Sequence, residues 1–124
     1  MSAWNYSPWD NDNAADWFQQ FWKQKDFTLL ISEIKEFDPR EPSYDTFRAA
    51  SYLLQTLGNP YVWPAEHLDE LKSLIGHAIS ILTQMINPPS KQWYFLDIWE
   101  GSDEIIKSVQ VQIDALEAQL RELA

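Results

Sequence analysis

The chain has 124 residues, a length typical of one domain and sufficient to bury a hydrophobic core without covalent cross-links. It contains no Cys, which excludes disulfides, thiolate metal sites and a cysteine nucleophile. Nineteen Asp and Glu against nine Lys and Arg give a net charge of −10, the wrong sign for a protein that binds the nucleic-acid backbone. We therefore expect one acidic domain over residues 1–124.

The first candidate helix follows an N-terminal loop rich in short polar residues. A short acid or amide is expected to cap it, from the set Asn11, Asp12 and Asn13, with Asp16 near the positive end of the helix dipole. Its apolar residues recur at helical spacing: Ala14, Trp17, Phe18, Phe21 and Trp22.

The next two segments have the same periodicity and lie between prolines. A second helix is predicted over Thr28–Phe37, and its inward residues are Leu30, Ile31 and Ile34. A third helix is predicted from Tyr44 to Leu57, capped by Ser43 and ended by Gly58. Prolines between the segments are expected as helix boundaries, because a proline inside a helix costs about 3 kcal/mol.

Ala65–Ile86 is the longest periodic segment, and we expect it to form the central helix. Pro64 fits the preference for proline at the first helical position, and Asn87 with two prolines ends the segment. Its main stripe is Leu68, Leu71, Ile75, Ala78, Leu82 and Met85.

The C-terminal third predicts two more helices. Lys91–Trp99 is aromatic and short, and we interpret it as helix rather than strand. Ser102 is expected to cap a last helix, with Asp103 and Glu104 in its first turn. An apolar seam follows, which we expect to pack inside the bundle of a monomer rather than against a second copy in a dimer: Ile106, Val109, Ile113, Leu116, Leu120 and Leu123. Taken together, these segments predict an all-α bundle of five or six helices.

Few residues point to catalysis, a cofactor or a metal. The segment from Asp10 to Asp16 resembles a calcium loop, but Ala14, Ala15 and Phe21 occupy positions that need a ligand, a glycine and a glutamate. The two histidines match no zinc signature, and the three glycines form no phosphate loop. We therefore predict a protein that is not an enzyme, with no catalytic residue, no cofactor and no metal.

The acidic charge and the aromatic residues suggest binding to another protein. Rings flanked by acids near the start of the last helix form a candidate surface for a basic partner: Trp93, Tyr94, Trp99, Glu100, Asp103 and Glu104. The hypothesis is a non-catalytic protein-binding module, in its sharpest form an immunity protein or inhibitor of a basic toxin. The alternative is a small-ligand or regulatory domain, which would have an apolar pocket. No long apolar run or signal segment is present, so neither membrane nor nucleic acid is expected as a partner, and the expected location is cytoplasmic.

The N-terminus resembles a family of small bacterial proteins of unknown function. Their opening reads approximately Trp-Gly-x-Gly-Pro-Phe-Asp/Glu-Asn-Asp-x-Ala-x-Asp-Trp/Phe, and a later Leu-Trp-Glu element is similar to Ile98-Trp99-Glu100. Asn5 and Ser7 stand where the family has glycine. The resemblance implies a small bacterial α-helical domain and assigns no activity. The matching residues are Trp4, Pro8, Trp9, Asp10, Asn11, Asp12, Ala14, Asp16 and Trp17.

Overall fold

The computed structural model describes residues 5–24 and 27–123, and these form six α-helices, one short 3-10 turn and no strand. The all-α fold class predicted from the sequence is therefore confirmed. Trp4 and the side chain of Trp22 lie outside the described part. The helices are α1 (Asp12–Gln24), α2 (Phe27–Lys35), α3 (Tyr44–Leu57), α4 (Leu68–Ile86), α5 (Phe95–Ile98) and α6 (Asp103–Leu123).

Side chains cap two of the three helices for which the sequence predicted a cap. Asn11 Oδ1 accepts a hydrogen bond from Ala14 N at 2.7 Å, which confirms the capping interpretation of the acidic N-terminal segment. Ser102 Oγ lies 3.4 Å from the N–H of Ile105 at the start of α6. The prediction for Ser43 was wrong, because its hydroxyl donates to Glu33 on α2 at 3.2 Å instead of accepting from α3.

The ends of three predicted helices also need correction. α2 begins and ends earlier than predicted, at Phe27 and Lys35. Pro64 has an extended ψ of 129° and precedes a 3-10 turn at Ala65–His67, so α4 begins only at Leu68, whose side chain is 40% exposed rather than inward. The segment predicted as a helix over residues 91–99 forms the single turn of α5, because burial of Trp93 and Phe95 anchors it and no long apolar stripe is available.

Gly58 ends α3 as predicted, but close packing rather than a left-handed backbone requires a glycine there. Its φ is −79°, which any residue can adopt. The Gln119 side chain of α6 donates to the carbonyl of Gly58, and a Cβ on this residue would overlap that amide and the carbonyl of Leu54. The glycine therefore lets the end of α6 approach the end of α3.

Two helices share the centre of the bundle. α4 contacts α2, α3, α5 and α6, whereas α3 contacts α1, α2, α4 and α6. The predicted central position of the long helix is confirmed, and α3 joins it in that role. None of the helices in the described ranges is both long and apolar enough to cross a membrane.

The inward face of α6 is turned slightly from the predicted seam. Ile105, rather than Ile106, is fully buried, and Gln112 is buried with the apolar residues. α6 packs mainly along α4, so the chain itself covers most of the seam. The apolar residues of this buried face are Ile105, Val109, Ile113 and Leu116, with Ile106, Leu120 and Leu123 partly buried.

A buried arginine connects α3, α6 and the N-terminal segment. Arg48 is 3% exposed, and its Nε donates to Gln112 Oε1 at 2.7 Å. Its Nη2 donates to Ser108 Oγ at 2.8 Å, and its Nη1 donates to the carbonyl of Tyr6 at 3.0 Å. Gln112 Nε2 donates back to the Arg48 carbonyl, and Ser108 Oγ donates to the Tyr6 carbonyl. We call these four residues the Arg48 network.

All the hydrogen-bond acceptors of the Arg48 guanidinium are neutral. No carboxylate lies within ion-pair distance of it among the described residues. Burial lowers the pKa of Arg48 to about 10, while the charges of Asp45 and Asp10 act in the opposite direction. The guanidinium therefore remains charged at neutral pH, and its desolvation is offset by hydrogen bonds.

The N-terminal segment from residue 5 onward is held by its backbone and by Pro8. Arg48 and Ser108 bind the carbonyl of Tyr6, and Pro8 is buried. Trp9 remains exposed, although its ring centroid lies 4.9 Å from that of Tyr52. Trp9 thus contributes a ring contact at the surface.

Replacement of Arg48 by Ala should lower the free energy of unfolding by about 2–4 kcal/mol, because it leaves the buried Oε1 of Gln112 without its donor and removes one of the two donors to the Tyr6 carbonyl. Chemical denaturation followed by circular dichroism measures the change. Arg121→Ala is the matched control, because Arg121 is exposed in the last turn of α6 and its loss should change stability by less than about 0.5 kcal/mol. Equal effects of the two substitutions would contradict the role of the network.

Leu116→Glu should abolish cooperative unfolding, because it places a carboxylate in the fully buried face of α6. Val111→Glu on the same helix should be tolerated, since Val111 is exposed. Thermal unfolding and light scattering of both variants give the comparison. A dimeric parent that becomes a folded monomer on Leu116→Glu would show instead that the seam serves a second copy.

Candidate binding groove

A groove of about 520 Å³ lies between α1, the start of α3 and the segment around α5. Aromatic side chains from all three elements line it, namely Trp17, Tyr44, Tyr94 and Trp99. We call it the aromatic groove. Its described lining contains two carboxylates and no Lys, Arg or His.

The α1 wall consists of one face of that helix. Asn13, Asp16, Trp17 and Gln20 are spaced i, i+3, i+4 and i+7, which places them together along about two turns. The Asn11 cap sets where the helix begins and therefore which residues this face presents. The motif residue Asp16 consequently lies in the groove and not in a cation-binding loop.

A hydrogen bond joins the two helical walls. Asn13 Nδ2 donates to Asp45 Oδ2 at 3.0 Å, which orients the Asp45 carboxylate. No hydrogen bond or ion pair of Asp16 is present among the described residues. On the α3 side, the hydroxyls of Ser43 and Thr46 both donate to Glu33. These two hydroxyls therefore do not donate to the groove carboxylates.

Ring contacts hold the opposite wall. Tyr94 is 42% exposed, and its ring meets that of Tyr44 edge-on at 5.6 Å. The Tyr44 hydroxyl accepts from Tyr94 N at 3.2 Å, and burial raises the pKa of this phenol. Trp99 is partly buried, and its ring centroid lies 5.7 Å from that of Tyr6. The N-terminal segment therefore supports Trp99 from outside the groove.

Trp17 belongs to both the core and the groove. It is 6% exposed and stacks on Phe21 with an interplanar angle of 17°, while Phe18 meets it edge-on. Its indole Nε1 is buried and has no acceptor in the described part of the protein. Most buried donors in proteins are satisfied, so this indole N–H is an exception.

A left-handed turn after α5 leads from Trp99 into α6. Glu100 and Gly101 have φ values of 54° and 67°, and Gly101 N donates to the carbonyl of Leu96 at 2.9 Å. Glu100 is the one non-glycine residue with a positive φ in the described ranges, so Asn5 and Ser7 need no glycine-like conformation. The turn fixes the position of Trp99 relative to the start of α6.

The groove includes only part of the partner surface predicted from the sequence. Tyr94 and Trp99 line it, whereas Trp93 is 9% exposed and packs against Phe37 at 5.7 Å, so its predicted surface role was wrong. Glu100 and Asp103 are exposed but do not line the groove. Glu104 also lies outside the groove. Two hydrogen bonds lower the pKa of its carboxyl: the stronger effect comes from its own backbone N–H and the weaker one from the Ser102 hydroxyl.

The other residues of the N-terminal motif have structural roles. Asp10 Oδ2 accepts from Ser7 N at 3.3 Å, which closes the turn around Pro8. Asn11 caps α1, Asp12 is its first residue, and Ala14 is fully buried. Of the motif residues that the structure describes, only Asp16 and Trp17 line the groove.

Side chains that could bind a metal do not converge in the described part of the chain. No group of three or more His, Cys, Asp or Glu is close enough together there. His67 is partly exposed and its Nδ1 lies 3.5 Å from Glu70 Oε2, whereas His77 is exposed. Neither histidine lines the groove.

Sequence reasoning missed both the Arg48 network and the orienting contact between Asn13 and Asp45. The sequence did contain one indication of the network, because the helical periodicity places Gln112 on the same buried face of α6 as Ile105, Val109 and Leu116. A polar residue at such a position needs a buried partner. No comparable signal marked Asn13 or Asp45, because helix starts are commonly polar.

A comparison of the chain with protein-family models, with curated proteins and with solved structures found no match in any of the three. The family resemblance of the N-terminal motif therefore stays an interpretation of the sequence. The functional assignment depends on the groove itself.

Gly101→Ala should lower the free energy of unfolding by about 1 kcal/mol, because a side chain is strained at its positive φ. Gly76→Ala is the matched control in the interior of α4. A Cβ there meets nothing within 4 Å, so the substitution should stabilise the helix by up to about 1 kcal/mol. Denaturant unfolding measures both, and effects of the same sign would contradict the assigned turn.

Proposed function

We propose that the protein is a non-catalytic module that binds a positively charged segment of another protein in the aromatic groove. One observation carries this proposal: the described lining combines four aromatic rings with the carboxylates of Asp16 and Asp45 and contains no basic side chain. Rings attract cations through their faces, and carboxylates attract them by charge. In this groove the rings and the carboxylates therefore both favour a positively charged ligand.

The groove also has the composition of a binding surface. Tyr and Trp are the residues that most often dominate the energy of protein interfaces. Tyr94 is exposed, and Ile98 beside it is an exposed aliphatic residue. A partner that covers these side chains would remove apolar area from water, which supplies affinity in addition to charge.

The charge of the whole molecule favours the same partner. The net charge of −10 attracts a basic protein over a distance set by the ionic strength. Glu100, Asp103 and Glu104 are exposed close to Trp99 in the chain and extend the negative surface beyond the groove. Such charges speed association more than they increase affinity. Within this proposal, an immunity protein or inhibitor of a basic toxin is the specific form that we favour.

A small-ligand domain is the second candidate, and the volume of the groove favours it. Ligand pockets typically have about 300–1,000 Å³, a range that includes the 520 Å³ found here. An organic cation would satisfy the same rings and carboxylates. Native mass spectrometry of protein purified from its source separates the two candidates, because a retained small molecule would favour the second.

The test of a protein partner uses a double variant and a control of equal charge. Asp16→Asn with Asp45→Asn removes both groove carboxylates, and Asp114→Asn with Glu117→Gln removes two exposed charges of α6. Proteins retained from a lysate of the source organism at low salt are identified for each form, and circular dichroism checks folding. We expect a basic protein that the parent and the control retain and the groove variant loses.

Retention of the same proteins by all three forms, or of none by the parent, would contradict the proposal. The immunity form has its own test in co-expression with the retained partner. If that partner stops growth, the parent and the control should restore growth and the groove variant should not. Growth that stays arrested with the parent would contradict the immunity form.

A further inference from the structure

We infer that the aromatic groove is specific for an arginine side chain of the bound segment, with its guanidinium between the carboxylates of Asp16 and Asp45 and the rings of Tyr94 and Trp99. This inference rests on the proposed function and names the chemical group that the groove recognises. It depends on how the carboxylates, the rings and the neighbouring polar groups are arranged.

The carboxylates lie on two different helices, and among the described residues only Asp45 has a partner for its carboxylate. Asn13 donates to Asp45 Oδ2, and none of the described residues donates to Oδ1, so this carboxylate is oriented but not saturated. Asp16 lies one turn along α1 from Asn13 and has no hydrogen bond or ion pair there. A guanidinium presents five donors in one plane and can bond to two carboxylates, whereas an ammonium is a compact point charge.

The rings favour a flat cation in the same way. Tyr94 is fixed by its contacts with Tyr44, and Trp99 is fixed by Tyr6 and by the turn that follows it. A guanidinium stacks on such rings and is less strongly hydrated than an ammonium, so it loses less on leaving water. The exposed side chain of Ile98 adds an apolar contact for the aliphatic part of the arginine.

The neighbouring groups leave these carboxylates available. Ser43 and Thr46 donate to Glu33, and the nearby Arg48 gives its donors to neutral acceptors and forms no ion pair with Asp45. No protein cation therefore occupies the groove in the described part of the chain.

The experiment compares three peptides that differ in one side chain. Acetyl-Gly-Xaa-Gly-amide with Xaa as arginine, lysine or citrulline is titrated into the full chain, and NMR follows the indole N–H signals assigned to Trp17 and Trp99. Citrulline keeps the shape of arginine without its charge. We expect saturable shifts with the arginine peptide, binding at least about tenfold weaker with lysine, and none with citrulline.

Variants connect the signal to the two carboxylates. Asp45→Asn and Asp16→Asn should each weaken arginine binding by at least about fivefold, whereas Glu117→Gln, which removes an exposed charge of α6, should not change it. Equal binding of the lysine and arginine peptides would overturn the inference and leave a groove for basic segments intact. Absence of shifts with all peptides would also overturn it, while retention of a basic partner in the lysate experiment would still support the proposed function.

Discussion

The buried guanidinium of Arg48 is the interaction on which the rest of the structure depends. A charge removed from water costs several kcal/mol unless its donors are satisfied, and here neutral oxygens from α6 and from the N-terminal segment satisfy them. The requirement is strict because each donor has a direction. It therefore fixes the register between α3 and α6 and holds the backbone of Tyr6 against both helices.

The same network reaches the groove through the N-terminal segment. The Tyr6 carbonyl is held by Arg48 and Ser108, and the Tyr6 ring contacts Trp99, which lines the groove. On the other side, Asn13 and Asp45 join α1 to α3. A wall formed by rigid helices loses little conformational entropy when a partner binds. Stability and recognition thus depend on the same contacts.

Much of the fold could be predicted from local sequence, and most of the groove could not. Periodicity located α3 and most of α1, α4 and α6, because burial of one helical face leaves a regular pattern of apolar residues. It misplaced Leu68 and Trp93, because an apolar residue next to a helix end can lie inside or outside without changing that pattern. The groove combines three segments far apart in the chain, and a local pattern contains no information on their distance.

The sequence by itself determined the all-α class, the acidic charge, the absence of cysteine chemistry and the Ser102 cap, and it narrowed the cap of α1 to Asn11, Asp12 or Asn13. These properties follow from composition and from spacings of a few residues. Only the tertiary structure decided that Arg48 is buried and that Asp16, Asp45, Tyr94 and Trp99 share one groove. The physical reason is that desolvation, hydrogen bonding and charge act between atoms that are close in space, and helix packing alone brings those residues together.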